Sequence, residues 1–313
     1  MDLLDDVFDT LDLRGVLYFR TEFSGPWAVT VPDLQQAARL HLVTQGTCHV
    51  TVEDKPAVHL TAGDMIMIPR GRSHVLADRV GRNARPLETV LQDAGYDGRG
   101  VLGVGDRQSN AETQLLCGHY TFRQHAAHPL LNALPDAIVL TAAERMRQPW
   151  LDDVLRMMTQ RAFSDDLGSA TSVKRLSEIV FAEVIRAGIS QSPQIQAALE
   201  GFRDTQISRA LERIHETPEY AWTVAELAAV AGMSRSAFAK KFNDSLGVAP
   251  MRYLADWRLQ RALALLEDPR NSVQQVAAAT GYLSAAAFSR AFSARIGMAP
   301  GEYRKTGSGL QPV

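Results

Sequence analysis

The stretch that decides the fold of this chain is GYLSAAAFSRAFSARIGMAPGEYR, residues 281–304. Its pattern already occurs once upstream, in GMSRSAFAKKFNDSLGVAPMRY at residues 232–253. From Phe238 and Phe288 onward the shared Phe, Gly, Pro and Tyr residues recur at a constant offset, and one extra residue separates Gly from Ser in the second copy. An internal repeat of this kind indicates two copies of one structural unit.

The pattern of each copy is typical of a helix-turn-helix unit. In the first copy, Val224–Val230 has the spacing of a short amphipathic helix. Gly232 supplies the positive φ that ends it, and Ser234 is a typical N-cap for a second helix. Phe238 and Phe242 are one turn apart, so we expect them to form the buried face of that helix.

A recognition helix needs small residues at its start, so that it enters the major groove, and basic or hydrogen-bonding groups that reach bases and phosphates. Both copies supply them. Between the copies, Trp257–Leu266 has the pattern of a linking helix that turns Leu259, Leu263 and Leu266 inward. Two rigidly joined units would address successive major grooves, roughly 34 Å apart.

Residues from about 204 to 305 resemble the DNA-binding domain of the AraC/XylS family of transcription regulators. The resemblance is carried by Gly281-Tyr282, Ser284, AFSRAF at 287–292, Gly297, Ala299-Pro300 and Tyr303-Arg304. It implies two helix-turn-helix units joined by a linker helix, with double-stranded DNA as the partner and RNA polymerase as a further partner if the protein is an activator. The residues expected to contact DNA are Arg235, Ser236, Ala239, Lys240, Lys241, Ala285, Ala286, Ser289 and Arg290.

Alanine side chains cannot donate hydrogen bonds, which limits how this interface reads bases. We therefore expect base recognition to rest on Arg235, Lys240 and Arg290, with alanine contacts to thymine methyl groups. Charge agrees with a DNA-binding C-terminal region. The chain holds 33 Lys and Arg and 35 Asp and Glu, of which 14 and 10 lie between Arg203 and Lys305, so that region is basic and the remainder acidic.

The N-terminal region has a different, β-rich pattern. Short apolar segments such as Ala38–Val43 and Gln114–Phe122 are separated by Gly, Pro and Asp about every ten residues, which is typical of an antiparallel barrel or sandwich. Gly95–Gly105 has the composition of an irregular loop. With 313 residues, the sequence predicts a multidomain α+β protein: a barrel over 1–140, a helical linker over 141–200, and an all-α double helix-turn-helix domain over 201–306.

The barrel region resembles the cupin fold. Residues 63–74, GDMIMIPRGRSH, match the second cupin motif, and Gln45-Gly46 resembles the turn of the first. The resemblance implies a sensor domain for a small molecule, a metal or an oxidant. In metal-dependent cupins the first motif supplies His and Glu ligands, but here Arg39 occupies the Glu position and residues 32–35 hold no His.

A different metal site is one hypothesis for the barrel. His41, His74, Cys117 and His119 would make a tetrahedral set of nitrogen and sulfur ligands suited to Zn²⁺ or Fe²⁺ if the strands bring them together. The alternative is that these side chains line the barrel and hydrogen bond to one another or to a small ligand. Cys48 and Cys117 are either redox-active thiols or small buried side chains, and we favour the second.

Two helices are expected between the domains. The first has helical spacing of Trp150, Val154, Met157, Met158 and Arg161. The second, over Val173–Ile189, places on one face the apolar residues Leu176, Ile179, Val180, Val184 and Ile185. These helices either pack on the barrel or form a homodimer contact.

The leading hypothesis is a non-enzymatic transcription regulator, because the helix-turn-helix repeat predicts DNA binding and the first cupin motif lacks the metal ligands of cupin enzymes. We expect it to be cytoplasmic, because the chain shows no basic leader and no long apolar span. A cupin metalloenzyme fused to a DNA-binding module and an architectural DNA-binding protein without an effector are the alternatives.

Overall fold

The computed structural model describes residues 15–34, 37–98, 100–105, 112–123, 134–162, 167–189 and 204–307. Residues 15–122 and 134–189 within these ranges form one compact unit, and residues 204–307 form another. The predicted boundary near residue 200 lies outside the described residues. None of the described helices is both long and apolar enough to cross a membrane.

The first unit contains two β-sheets. Its strands are β1 Gly15–Phe23, β2 Ala28–Val31, β3 Ala37–Gln45, β4 Thr47–Val52, β5 Val58–Thr61, β6 Met65–Ile68, β7 His74–Ala77, β8 Arg85–Pro86, β9 Val101–Val104, β10 Thr113–Thr121 and β11 Ile138–Leu140. One sheet has the order β11-β6-β3-β10-β1-β9 and the other the order β5-β4-β7-β2-β8. This arrangement confirms the predicted cupin-like fold.

Strand pairing differs from the expectation at two edges. All neighbouring strands are antiparallel except β9, which runs parallel to β1, and β8, which runs parallel to β2. The prediction of an irregular loop over Gly95–Gly105 is wrong for Val101–Val104, because β1 provides these residues with hydrogen-bond partners from a distant part of the chain. Local sequence does not report such a partner.

The core of the first unit lies between the sheets. Alternate residues of each strand point into it, such as Ile66 and Ile68 on β6, and Val50 and Val52 on β4. Each fully buried side chain of this size stabilises the fold by about 1.5–3 kcal/mol. Gly71, with φ 61°, lies so close to the Leu34 carbonyl that an added Cβ would sit 2.4 Å from its oxygen. The glycine of the cupin motif therefore permits close backbone packing.

The helices of the first unit are α1 Leu87–Ala94, α2 Ala142–Met146, α3 Pro149–Ala162 and α4 Ser169–Ile189. Helix α4 packs on the six-stranded sheet, where the Phe181 ring lies 5.5 Å from Tyr120 and 5.4 Å from Phe122 between centroids. Of the two predicted roles for the helices, packing against the barrel domain is therefore present.

The buried faces of these helices agree only in part with the ones that the spacing indicated. Leu151, Leu155 and Met158 are buried on α3, whereas Trp150 and Met157 are exposed. On α4, Val180, Val184 and Ile185 are buried as expected, but Ile179 is exposed. Two overlapping apolar stripes are present on α3, and the one that includes Met158 packs on α4, where Met158 Sδ lies 3.8 Å from Ser177 Oγ.

The second unit is entirely helical in its described residues. It comprises α5 Thr205–Glu216, α6 Val224–Val230, α7 Arg235–Leu246, α8 Pro250–Glu267, α9 Val273–Ala279, α10 Ala285–Ile296 and α11 Pro300–Gly307. Helix α8 begins earlier than the predicted Trp257, because Pro250 is a favourable first helical residue. Leu263 and Leu266 are fully buried beside Phe288 and Phe292, which confirms the inward face of the linking helix.

Candidate nucleic-acid interface and interior polar cluster

Helices α6–α7 and α9–α10 form the two predicted helix-turn-helix units. The Ser234 and Ser284 hydroxyls cap α7 and α10 by accepting from the N–H groups of Ala237 and Ala287, at 3.3 and 3.1 Å. Phe238 is fully buried, so its helix is fixed by that face and shows the opposite one to solvent. Each element of the repeat has the same role in both copies.

The outer face of α7 is polar and basic. Arg235, Ser236 and Lys240 are exposed, and Ala239 is half-buried beside them. Lys240 Nζ lies 2.5 Å from Asp244 Oδ2, but its side chain is 79% exposed, so a phosphate can replace this surface partner. The face therefore offers three hydrogen-bonding side chains to a ligand in front of it.

Lys241 has a different environment from Lys240. Its Nζ lies 2.6 Å from Asp204 Oδ2 and 2.9 Å from Gln206 Oε1, at the start of α5. Asp204 is also the N-cap of α5, where Oδ1 accepts from the Gln206 and Ile207 N–H groups. Lys241 therefore joins α7 to α5, a contact for which the local sequence contains no signal.

The outer face of α10 is less polar than that of α7. Ala286 and Arg290 are exposed, and Ala285 and Ser289 are half-buried. Sequence reasoning missed Leu283, which precedes the Ser284 cap and is fully exposed. A leucine between a turn glycine and a helix cap, outside the apolar repeat, was the available signal. The start of α10 thus presents an apolar edge.

Helix α8 and Arg258 fix the two units relative to each other. Over 18 residues α8 is about 27 Å long. Arg258 donates to the carbonyls of Pro218 and Tyr220, at 2.6 and 2.8 Å, in the loop before the first unit. The same guanidinium packs on Gly281 in the turn of the second unit, where an added Cβ would lie 2.7 Å from Nη2. One side chain therefore contacts both units.

A polar cluster lies inside the cupin domain. His41 on β3 and His74 on β7 meet with their Nε2 atoms 2.8 Å apart, and His41 Nδ1 lies 3.1 Å from Cys117 Sγ. His74 Nδ1 lies 2.9 Å from the Arg72 carbonyl oxygen. A carbonyl oxygen only accepts hydrogen bonds, so His74 Nδ1 carries the hydrogen. The donor and the acceptor of the other two contacts follow from this assignment. Neutral His74 accepts from His41, and His41 accepts from the Cys117 thiol.

Burial keeps every member of this cluster neutral. Desolvation lowers the pKa of His74 to about 4 and lowers the pKa of His41 as well, with the Arg39 charge adding to both. Desolvation raises the pKa of Cys117 to about 12. The shifts agree with the hydrogen directions, since the chain of bonds requires two neutral imidazoles and a thiol.

The predicted metal ligands are brought together only in part. His41, His74 and Cys117 are in contact, but His119 is not bonded to them, and its Nε2 is buried without a hydrogen-bond partner in the part of the chain that the structure describes. His41 turns opposite edges of its ring to His74 and Cys117, so the donor atoms do not converge on one point as Zn²⁺ or Fe²⁺ requires. Within the described ranges, no group of three or more His, Cys, Asp or Glu side chains fits a metal ion. The metal site stays a prediction that this arrangement does not favour.

A cavity adjoins the polar cluster. Its volume is about 430 Å³ when measured out to its opening. Its apolar walls are formed by Phe19, Phe23, Val29, Val31, Leu76 and Leu102, and Arg39 and His41 contribute polar groups. The interior as it stands has room for about one water molecule.

Comparison with known proteins agrees with both halves of this description. A model of the cupin family matches residues 2–190, and a model of a helix-turn-helix domain matches residues 227–306. A putative AraC-like transcription regulator of Streptomyces antibioticus is 30% identical over 97% of this chain and 99% of its own length. The chain belongs to the AraC family of transcription regulators.

Further AraC-type relatives align over nearly the full length. The HTH-type transcriptional regulator AlkR of Acinetobacter baylyi is 30% identical over 97% of this chain and 99% of its own. The HTH-type transcriptional regulator MtrA of Neisseria gonorrhoeae is 26% identical over 98% and 99%. The protein is thus a DNA-binding transcription regulator with a cupin domain, and the comparisons do not support the alternative of a cupin metalloenzyme.

Proposed function

We propose that the protein regulates transcription from a two-part operator, reading one part with α7 and the other with α10, without catalysing a reaction. The observation that carries this proposal is the repeat of two exposed recognition helices at a separation held by α8 and Arg258. Rigid spacing suits recognition of two adjacent major-groove segments on one face of DNA.

The two helices favour different base compositions. Arg235 and Lys240 on α7 suit guanine O6 and N7 or phosphates, and Ser236 adds a short hydrogen-bonding group. The start of α10 offers Leu283 and Ala286, whose apolar groups suit thymine methyls. Arg290 follows one turn later and suits guanine or phosphate. We therefore expect a G-containing half-site for α7 and a T-rich half-site for α10.

The experiment that tests this reading mode begins with operator selection from random duplexes, followed by fluorescence anisotropy. Arg290→Ala should weaken binding by about 5- to 150-fold, which corresponds to 1–3 kcal/mol for a base contact. Arg270→Ala is the matched control, because Arg270 is exposed but pairs with Asp268 in the loop before α9. An equal loss in both variants would show that only general charge matters.

Replacing thymine by deoxyuracil in the half-site of α10 isolates the methyl contacts. Each replacement removes one methyl group and leaves the hydrogen-bonding edges of the base unchanged. We expect weaker binding for the wild type and a smaller effect for Leu283→Ser. If the wild type does not distinguish thymine from uracil, the apolar edge of α10 does not read bases.

The cupin domain is proposed to sense an effector in its interior cavity. Support comes from a cavity bounded by both sheets and from polar groups inside it that are satisfied only in part. Homodimerisation, activation and contact with RNA polymerase stay predictions. Trp150, Met157 and Ile179, which are exposed on α3 and α4, are the apolar residues through which a homodimer would form.

The effector proposal is tested by comparing operator affinity in the full chain and in a chain that lacks residues 1–200. We expect a candidate effector to change the affinity of the full chain only. The same response in both proteins would remove the role assigned to the cupin domain.

A further inference from the structure

Arg39 lines the cavity and His119 lies opposite it on the neighbouring strand, and each has a buried nitrogen atom without a hydrogen-bond partner among the described residues. These two atoms are Arg39 Nε and His119 Nε2. Arg39 forms no ion pair with any carboxylate of the described residues. Leaving a buried N–H group unpaired is costly, so a half-buried arginine and histidine with such nitrogen atoms are suited to a ligand that accepts hydrogen bonds from them.

The two residues face each other across neighbouring strands. Arg39 on β3 is directly opposite His119 on β10, in the register that also places His41 opposite Cys117. Directly opposed residues of antiparallel strands share a face of the sheet. The His41–Cys117 contact shows that this face is the interior one. The pair His41 and Cys117 is therefore hydrogen bonded, whereas the next pair on this face, Arg39 and His119, keeps nitrogen atoms without a partner among the described residues.

The Arg39 charge is the only cationic group among the described residues that line this cavity, where its neighbours are neutral. Burial lowers the pKa of Arg39, and the Arg39 charge in turn lowers the pKa of His41, His74 and His119. No acidic residue is among those that line the cavity. The local potential is thus positive and uncompensated, which selects for an anion.

The walls of the cavity limit which anion fits. The apolar side chains of Phe19, Phe23 and Leu76 line the same cavity as Arg39. An inorganic anion would leave these walls in contact with water or empty space. A carboxylate with a hydrocarbon body places its oxygens at the guanidinium, which binds carboxylates through two parallel hydrogen bonds, and its apolar part against the walls.

We infer that the cupin domain binds an amphipathic organic carboxylate, held by Arg39 and His119 at its head and by the apolar walls at its body. This inference names the effector class for the sensing role proposed above and rests on it. An occupant has to move part of the wall, since the present interior is small. We expect helix α1 to move, because Val90 is its one buried residue and its half-buried Leu87 lines the cavity.

The test uses the full chain and isothermal titration calorimetry with octanoate, 1-octanol and acetate. Octanol keeps the hydrocarbon and lacks the charge, whereas acetate keeps the charge and lacks the hydrocarbon. We expect octanoate to bind at least about tenfold more tightly than octanol, as a charge-assisted hydrogen bond provides, and acetate to bind weakest. Arg39→Met should remove the preference of octanoate over octanol.

Two controls separate a binding role from a structural one. Arg79→Met changes an exposed arginine of the same domain and should keep the preference. Without ligand, Arg39→Met should unfold at the same or a higher temperature, because methionine keeps the apolar part of the side chain and removes a buried N–H group that has no partner among the described residues. A markedly lower unfolding temperature would show that Arg39 is paired within the fold, and the inference would be wrong.

The remaining outcomes are equally decisive. Equal affinity for octanoate and octanol, absence of octanoate binding, or an unchanged preference in Arg39→Met each overturns the carboxylate site. Operator affinity is measured in parallel with and without octanoate. Binding with no change at the operator would leave this site intact and contradict the sensing role, whereas loss of the carboxylate preference alone leaves the sensing role open to neutral ligands.

Discussion

His41 Nε2 lies 2.8 Å from His74 Nε2, and this contact joins β3 of one sheet to β7 of the other through the interior of the cupin domain. The surrounding core is apolar, so the pair is stable only while both rings are neutral and each lone pair meets a hydrogen. Protonation of His74 would place its Nε2–H against the Nε2–H of His41, so that two donors meet face to face. The pair therefore makes the stability of this domain depend on pH.

Acidification should destabilise the cupin domain through this pair. Burial lowers the pKa of His74 from its ordinary 6.5 to about 4, so the unfolded chain binds a proton between these values and the folded chain does not. Stability is complete above pH 6.5 and declines as the pH falls towards 4. At pH 5 the loss from His74 alone is about 2 kcal/mol, to be measured by urea unfolding at pH 7 and pH 5.

Variants separate this effect from general acid unfolding. His74→Leu should be less stable than the wild type at pH 7, because His41 loses its acceptor, but should lose less stability between pH 7 and pH 5. His59→Gln changes an exposed histidine of β5 and should follow the wild type. If His74→Leu shows the wild-type pH dependence, the histidine pair is not the source.

Both thiols should be inert in the folded protein. Burial raises the pKa of Cys48 and of Cys117 to about 12, so the reactive thiolate is scarce at neutral pH. We expect no reaction with Ellman's reagent at pH 8 over a time in which both thiols react fully in urea. Rapid modification of the folded protein would instead support the redox hypothesis for these cysteines.

Lys240 and Lys241 should behave differently when replaced by methionine. Lys240→Met should weaken operator binding and reduce its salt dependence, because an exposed ammonium is lost from the outer face of α7. Lys241→Met should instead destabilise the DNA-binding domain by roughly 0.5–1 kcal/mol, since it breaks the partly exposed pair with Asp204. Anisotropy and thermal unfolding of both variants measure the two effects, and a purely DNA-binding defect in Lys241→Met would assign that residue to the interface.

Loss of Arg258 should loosen the spacing of the two helix-turn-helix units. Arg258→Met removes two charge-assisted hydrogen bonds to the loop before the first unit. We expect the wild type to bind an operator with one inserted base pair between its half-sites about tenfold more weakly than the original. The variant should discriminate less between the two operators. Arg261→Met, on the exposed side of the same helix, should retain full discrimination.

The helix-turn-helix domain could be predicted from sequence almost residue by residue. Its signals are local: Ser234 and Ser284 cap helices that begin at the next residue, and Phe238 and Phe242 are one turn apart on a buried face. The contact of Lys241 with Asp204 could not be predicted, because it joins residues 37 positions apart on separate helices. Local patterns specify helices better than the pairs between them.

The cupin site was predicted in composition but not in bonding. Strand periodicity placed Arg39 with His41 and Cys117 with His119 on common faces, and the structure confirms both pairs. Whether these side chains converge on one point depends on the distance between two sheets, which no strand encodes by itself. The ring orientation of His41, which separates its two partners, is likewise a product of the packed core.

The repeat of helices α6–α7 in α9–α10 has a consequence for how this regulator acquires new target genes. The residues that build each copy, such as Phe238 and Phe288, are buried, while the residues that face outward differ between the copies. Substitutions on one outer face leave the other copy and both cores unchanged. A promoter can therefore be gained or lost by drift in half of the recognition surface, and the regulon can diversify one half-site at a time.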